Sequence, residues 1–95
     1  VVLDWQRLQA AIAGKVVLVS GGGGSIGSEL CRQVARLGVA RLAVFEQSEH
    51  NLYLIERELR EKHPQADLAF ILGDVGDRVS VEHALALHRP DLVLH

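Results

Sequence analysis

Val16-Val17-Leu18-Val19-Ser20-Gly21-Gly22-Gly23-Gly24-Ser25-Ile26-Gly27 passes from a continuous β-branched run straight into a glycine cluster. Such a run, apolar at every position, is typical of a strand buried on both faces of a parallel sheet. The glycines satisfy two spacings at once. Gly22, Gly24 and Gly27 fit G-x-G-x-x-G; Gly21, Gly24 and Gly27 fit G-x-x-G-x-x-G, with the hydroxyl residue Ser20 in front. A chain turning sharply out of a strand favours residues that tolerate positive φ. A backbone that approaches a pyrophosphate must also do so without a Cβ in the way. The N–H groups at the following helix start, around Ser25, Ile26 and Gly27, then point at the anion, and the helix dipole assists. No Gly-Lys-Ser/Thr follows, so this is not the phosphate loop of the nucleoside-triphosphatases.

Working outward, strands and helices alternate. Asp4 is a plausible N-cap for an opening helix to about Ala13, with Trp5, Leu8 and Ile12 as its apolar stripe and Gly14 ending it. The helix after the glycine loop runs from about Ile26 to Leu37, with Leu30, Val34 and Leu37 facing inward and Gly38 closing it. Leu42–Phe45 is the second strand. A helix over Glu49–Lys62 buries Leu52, Ile55 and Leu59, carries a Glu58–Lys62 ion pair and stops before Pro64. Leu68–Leu72 is the third strand. Asp77 caps a helix to about His88 with Val81, Ala84, Leu85 and His88 inward, and Asp91–His95 begins a fourth strand. The pattern predicts an α/β fold, a Rossmann-like doubly wound parallel sheet of which only the first half is present. Right-handed crossovers are the default, and the first half of a doubly wound dinucleotide fold has the strand order 3-2-1-4. Residues 1–14 form a short N-terminal helix, and residues 15–95 the N-terminal part of a truncated NAD(P)-binding domain.

Two strand ends carry candidate ligand groups. Glu46 closes the second strand, 19 positions after Gly27, where a carboxylate accepts from the adenosine ribose hydroxyls and repels a 2′-phosphate. No Arg or Lys stands among residues 46–51, so NAD is favoured over NADP, although Arg78 could still reach a 2′-phosphate. At the third strand end, Gly73-Asp74-Val75 places a carboxylate that could accept from the adenine amino group, with the backbone of Val75 at the ring edge.

Composition narrows the class. The chain has 95 residues, 48% apolar and 23% charged, and it holds ten Lys+Arg against twelve Asp+Glu for a net charge of −2. That excludes a disordered tail and a basic nucleic-acid arm, so no nucleic-acid partner is expected. A single cysteine, Cys31, excludes an internal disulfide framework and points to a reducing, cytoplasmic compartment. Val1-Val2-Leu3 gives way at once to Asp4, which is no secretory signal, and no apolar run approaches the roughly 20 residues of a membrane span. The five histidines show no i,i+4 pair, so no metal site is expected; His95 could point from its strand end to the cofactor crevice but is read as a strand terminus.

The segment from Gly14 to Leu30 resembles the opening of the extended short-chain dehydrogenase/reductases. More narrowly, it is similar to the polysaccharide-biosynthesis (CapD-like) nucleoside-diphosphate-sugar 4,6-dehydratases. Phe45-Glu46-Gln47-Ser48-Glu49, Asn51–Leu59, Gly73-Asp74-Val75 and Arg89–His95 agree with that family, as does the short helix before Gly14. Ser48–Tyr53 is the more specific stretch, since the glycine motif is shared by the whole superfamily. Ser20 stands where Thr is usual, and Glu46 where Asp is commoner.

The resemblance implies an NAD(P)-dependent lyase acting on a UDP-sugar, typically UDP-N-acetylglucosamine. Such enzymes oxidise C4, eliminate water across C5–C6 and return the hydride at C6. It implies that Gly21, Gly24, Ser25, Ile26 and Gly27 hold the pyrophosphate, that Glu46, Gln47, Ser48, Glu49, His50 and Asn51 line the adenosine ribose, and that Asp74 and Val75 meet the adenine. The catalytic groups would follow His95, so no residue here is assigned a catalytic role and the chain alone is expected to be inactive. A homo-oligomer is expected, and many relatives carry helices upstream that would anchor the parent at the cytoplasmic membrane face. Two alternatives stay open: a nucleotide-sugar 4-epimerase or ketoreductase of the same superfamily, and a non-catalytic NAD-binding regulatory module.

Overall fold

Each apolar run of the chain finds its place in one parallel sheet. The computed structural model describes residues 4–95; Val1–Leu3 lie outside them, as does the side chain of Trp5 from the expected stripe. The elements follow in the order α1 (Trp5–Ile12), β1 (Val16–Ser20), α2 (Ser25–Arg36), β2 (Arg41–Glu46), α3 (Glu49–Lys62), β3 (Leu68–Leu72), α4 (Arg78–His88) and β4 (Leu92–Leu94). The four strands lie in the order β3-β2-β1-β4, all parallel, the order expected for the first half of a doubly wound sheet. This is the Rossmann-like α/β arrangement. The chain turns direction between β1 and β4, which opens a crevice at the carboxyl ends of those strands.

The two central strands are the most deeply buried. Val17, Val19, Leu42 and Val44 are fully enclosed on the face covered by α2 and α3, with Cys31, Val34, Leu52, Ile55 and Leu59 against them. Ile12 of α1 joins the same core. The opposite face is thinner: Leu18, Ala43 and Phe45 meet Ala84 of α4.

Two sequence expectations shift by about one residue. On α2 the fully buried positions are Cys31 and Val34, while Leu30 and Leu37 are half-buried. A cysteine behaves as a small hydrophobe, and here its i,i+3 partner is Val34. On α4, Ala84 is buried and Val81 half-buried, but Leu85 is exposed. The small Ala84 is the residue that meets the sheet, and one position further along, about 100° around the helix, the side chain leaves it.

Local chemistry explains the element ends. Asp4, Ser48 and Asp77 cap α1, α3 and α4 by accepting backbone N–H groups of the first turn. Asp91 precedes β4 rather than belonging to it; its carboxylate accepts the Val16 N–H at 2.8 Å and its own N–H donates to the Val16 carbonyl, pinning β4 to β1. The Glu58–Lys62 pair forms, but Arg32 of α2 is the closer partner of Glu58, at 2.6 Å, and ties α2 to α3.

Candidate functional site

The loop between β1 and α2 is built by contacts that only glycine permits. Gly21 turns the chain with φ +67°, where a Cβ is strained. Its N–H donates to the Phe45 carbonyl at 2.8 Å, which extends the β1–β2 pairing into the loop. A Cβ at Gly27 would lie 1.9 Å from the Gly21 carbonyl oxygen, so α2 folds back on the loop with no room for a side chain. A Cβ at Gly22 would meet Val44, and one at Gly23 would meet Asn51 and Glu46. Gly24 differs from all of these. Its Cβ would touch only the Gly21 carbonyl oxygen, at an ordinary 3.6 Å, and its φ of −74° suits any residue.

Gly24 is also the N-cap of α2, and it supplies no side-chain cap. The first intrahelical bond runs from the Ser28 N–H to the Gly24 carbonyl, which leaves the N–H groups of Ser25, Ile26 and Gly27 ahead of it. The other three helices are all capped by a side chain. Open space over Gly24 and uncapped donors beside it form a cradle whose chemistry suits an anion.

Beside the cradle lies a cleft of about 260 Å³ lined by Gly21, Gly24, Phe45, Glu46, Gln47, Gly73, Val75 and His95. Glu46 is buried, and its carboxylate accepts the Gly23 N–H at 2.9 Å and the Ser48 N–H at 2.8 Å. Asp74, between the lining residues Gly73 and Val75, is exposed and does not itself line the cleft. One of its carboxylate oxygens accepts the Gly76 N–H in a tight turn, and its carbonyl accepts the Asp77 N–H. Val75 lines the cleft and is half-exposed.

The remaining expected residues are spread around this centre. Ser25 and Ile26 border a neighbouring cavity between α1, α2 and β4, and Ile26 is 86% exposed. The Ser48 hydroxyl is committed to capping α3 through the Asn51 N–H. Glu49 and His50 are exposed on the first turn of α3. Asn51 lies behind the loop, bordering a groove between α2 and α3 with Arg32 and Glu58.

Sequence reasoning passed over one feature and underrated another. Phe45 floors the cleft, and its ring lies where a Cβ on Gly73 would fall. His95 is more than a strand terminus: its Nδ1 hydrogen-bonds the Ser20 hydroxyl, and it borders three cavities at the β1/β4 crevice. The observed register accounts for it, because Val19 opposite Leu94 puts Ser20 opposite His95. Among the described residues no three metal-ligating side chains converge. Nor is any helix there long and apolar enough to cross a membrane.

Comparison with known proteins identifies the family. The profile of a family described as "Polysaccharide biosynthesis protein" matches residues 17–95. The chain is 32% identical over its whole length to the probable polysaccharide biosynthesis protein EpsC of Bacillus subtilis, and it covers 16% of that protein. It is 36% identical to a UDP-glucose 4-epimerase of Rhizobium leguminosarum over 88% of this chain and 23% of that one. Among solved structures, Pen from Bacillus thuringiensis superposes with a TM-score of 0.69 and 30% identity, over 78% of this chain and 23% of that one. The chain thus spans about one sixth of the length of EpsC and under a quarter of the other two.

Proposed function

The chain belongs to the polysaccharide biosynthesis protein family, and from that membership we propose that it is the NAD-binding portion of a nucleotide-sugar 4,6-dehydratase acting on UDP-N-acetylglucosamine or a close analogue. One observation supports the cofactor half of the reading above all: the uncapped α2 N-terminus beneath an open Gly24. The N–H groups of Ser25, Ile26 and Gly27 bind the pyrophosphate, and the helix dipole adds to their attraction. Glu46 faces the ribose from the cleft floor. Its buried negative charge repels a 2′-phosphate, so NAD is preferred to NADP. Val75 and the Phe45 ring enclose the adenine end. When bound, the nicotinamide supplies the acceptor and donor of a hydride. This chain orients the dinucleotide and keeps its phosphates at the mouth of the β1/β4 crevice, where the sugar is met by residues of the remaining protein.

A second reading, a nucleotide-sugar 4-epimerase, is favoured by the epimerase relative. Mass spectrometry separates the two. Incubation of the full-length protein with UDP-N-acetylglucosamine and NAD should give a product lighter by one water. A product of unchanged mass but altered retention supports the epimerase, and an unchanged substrate sinks both.

A further inference from the structure

We propose that Glu46 holds the glycine loop in its cofactor-ready shape, as a positioning residue that fastens together the walls of the cleft before any dinucleotide arrives. The inference deepens the NAD-binding reading above and rests on it for the identity of the ligand, but not for the bracing itself.

Glu46 is the one buried charged side chain among the described residues, 6% exposed. A carboxylate out of water needs compensation, and no cation provides it here: Glu46 takes part in none of the ion pairs among the described residues. Its partners are two backbone amides from separate segments. One oxygen accepts from Gly23 in the loop after β1, and the other accepts from Ser48 in the turn before α3. The Glu46 carbonyl accepts the Gly73 N–H at 3.0 Å, which adds the end of β3. A single residue therefore fixes three segments that border the cleft or carry its lining. The loop is pressed hard against this brace: a Cβ at Gly23 would fall 2.9 Å from the Glu46 Cγ and 2.7 Å from the Asn51 Cβ.

Bracing and ribose binding are compatible. An ionised carboxylate offers about four acceptor positions, of which the two amides use two. A ribose diol can take the others without releasing the loop. Aspartate, one methylene shorter, draws the carboxylate back toward β2 and should lose at least one of the two amides, the distant Gly23 first. Glutamine reaches both but turns an NH2 group toward one of them, leaving a buried donor without an acceptor.

Hydrogen exchange on the purified protein, without cofactor, tests the brace. In the wild type the Gly23 and Ser48 amides should exchange at least tenfold more slowly than an open loop amide. Glu46→Gln and Glu46→Asp should each erase that protection at one or both sites and leave the amides of Val19 and Val44 unchanged. Binding of inorganic pyrophosphate, which has no ribose, gives the second readout. Loss of a negative charge alone would tighten pyrophosphate in Glu46→Gln; loss of the loop shape weakens it, and a drop of threefold or more is expected. If Glu46→Gln does not fold, Glu46→Asp keeps the charge and is read in the same way. Unprotected Gly23 and Ser48 amides in the wild type, or unchanged protection in the variants, overturn the brace. Failure of the wild type to bind NAD overturns the cofactor reading instead, and the exchange result still stands by itself.

Discussion

Gly24 and Gly27 are three residues apart in one motif, yet the structure gives them opposite roles. Gly24→Val and Gly27→Ala should therefore fail in opposite ways. At Gly27 the new Cβ would fall 1.9 Å from the Gly21 carbonyl oxygen and 2.7 Å from its carbon, both backbone atoms that a rotamer change cannot move. The loop or the helix must shift, and overpacking of this kind costs about 1–3 kcal/mol or more. In a complete domain of about 150–250 residues each kcal/mol lowers Tm by roughly 2–4 °C. At Gly24 the backbone is extended, φ −74° and ψ 175°, which valine adopts readily, and a Cβ meets only one atom at 3.6 Å. The fold loses little beyond about 1 kcal/mol of capping preference. The side chain does, however, stand in the anion cradle. Each charge-assisted hydrogen bond lost there is worth about 1.5–3 kcal/mol, or roughly 10- to 150-fold in Kd. Thermal denaturation and calorimetric NAD titration of both variants in the full-length protein give the comparison. A Gly24→Val protein that binds NAD like the wild type would falsify the assignment of the cradle, and a Gly27→Ala protein of unchanged Tm would refute the steric argument.

NAD should bind more tightly than NADP, and Glu46→Ala should narrow the gap; equal or tighter NADP binding by the wild type counts against the ribose assignment. Burial pushes the Cys31 thiol up to about 12 against 9.0 for a free thiol, so alkylation near pH 8 should be roughly a thousandfold slower in the folded chain than in urea. Fast modification without denaturant would show that Cys31 is not in the core. The Arg32 guanidinium holds the Glu58 carboxyl below its ordinary 4.5. A depressed folded value means stabilisation that is present above 4.5 and lost as pH falls through the folded value. Urea midpoints at about pH 6 and about pH 3 should differ less for Glu58→Gln than for the wild type, and an identical difference argues that the pair contributes nothing. Ser48→Ala removes the α3 cap and should cost about 1 kcal/mol in urea denaturation; no measurable loss would mean that water replaces the hydroxyl.

The order and type of the elements were legible in the residues alone, because they depend on local period and local punctuation. The β-branched run at Val16–Val19, the apolar stripe of Leu52, Ile55 and Leu59, and the capping residues Asp4 and Asp77 act within a few positions of themselves. Strand order followed from the doubly wound fold that the alternating elements and the glycine loop signal, with the crossovers right-handed as in any L-amino-acid chain. Tertiary structure decided what depends on groups distant in sequence but near in space. It separated Gly24, which faces open space, from Gly22, Gly23 and Gly27, which face Val44, Asn51 and the Gly21 carbonyl. It turned α2 so that Cys31 entered the core and α4 so that Leu85 left it, because a helix face is set by the surface it packs on as well as by its own period. It joined Ser20 to His95 across 75 positions, and it showed the Glu46 carboxylate engaged by amides 23 residues before it and two after. A spacing motif records which residue types a loop contains; which atoms those residues meet is fixed only when the strands that carry them lie side by side.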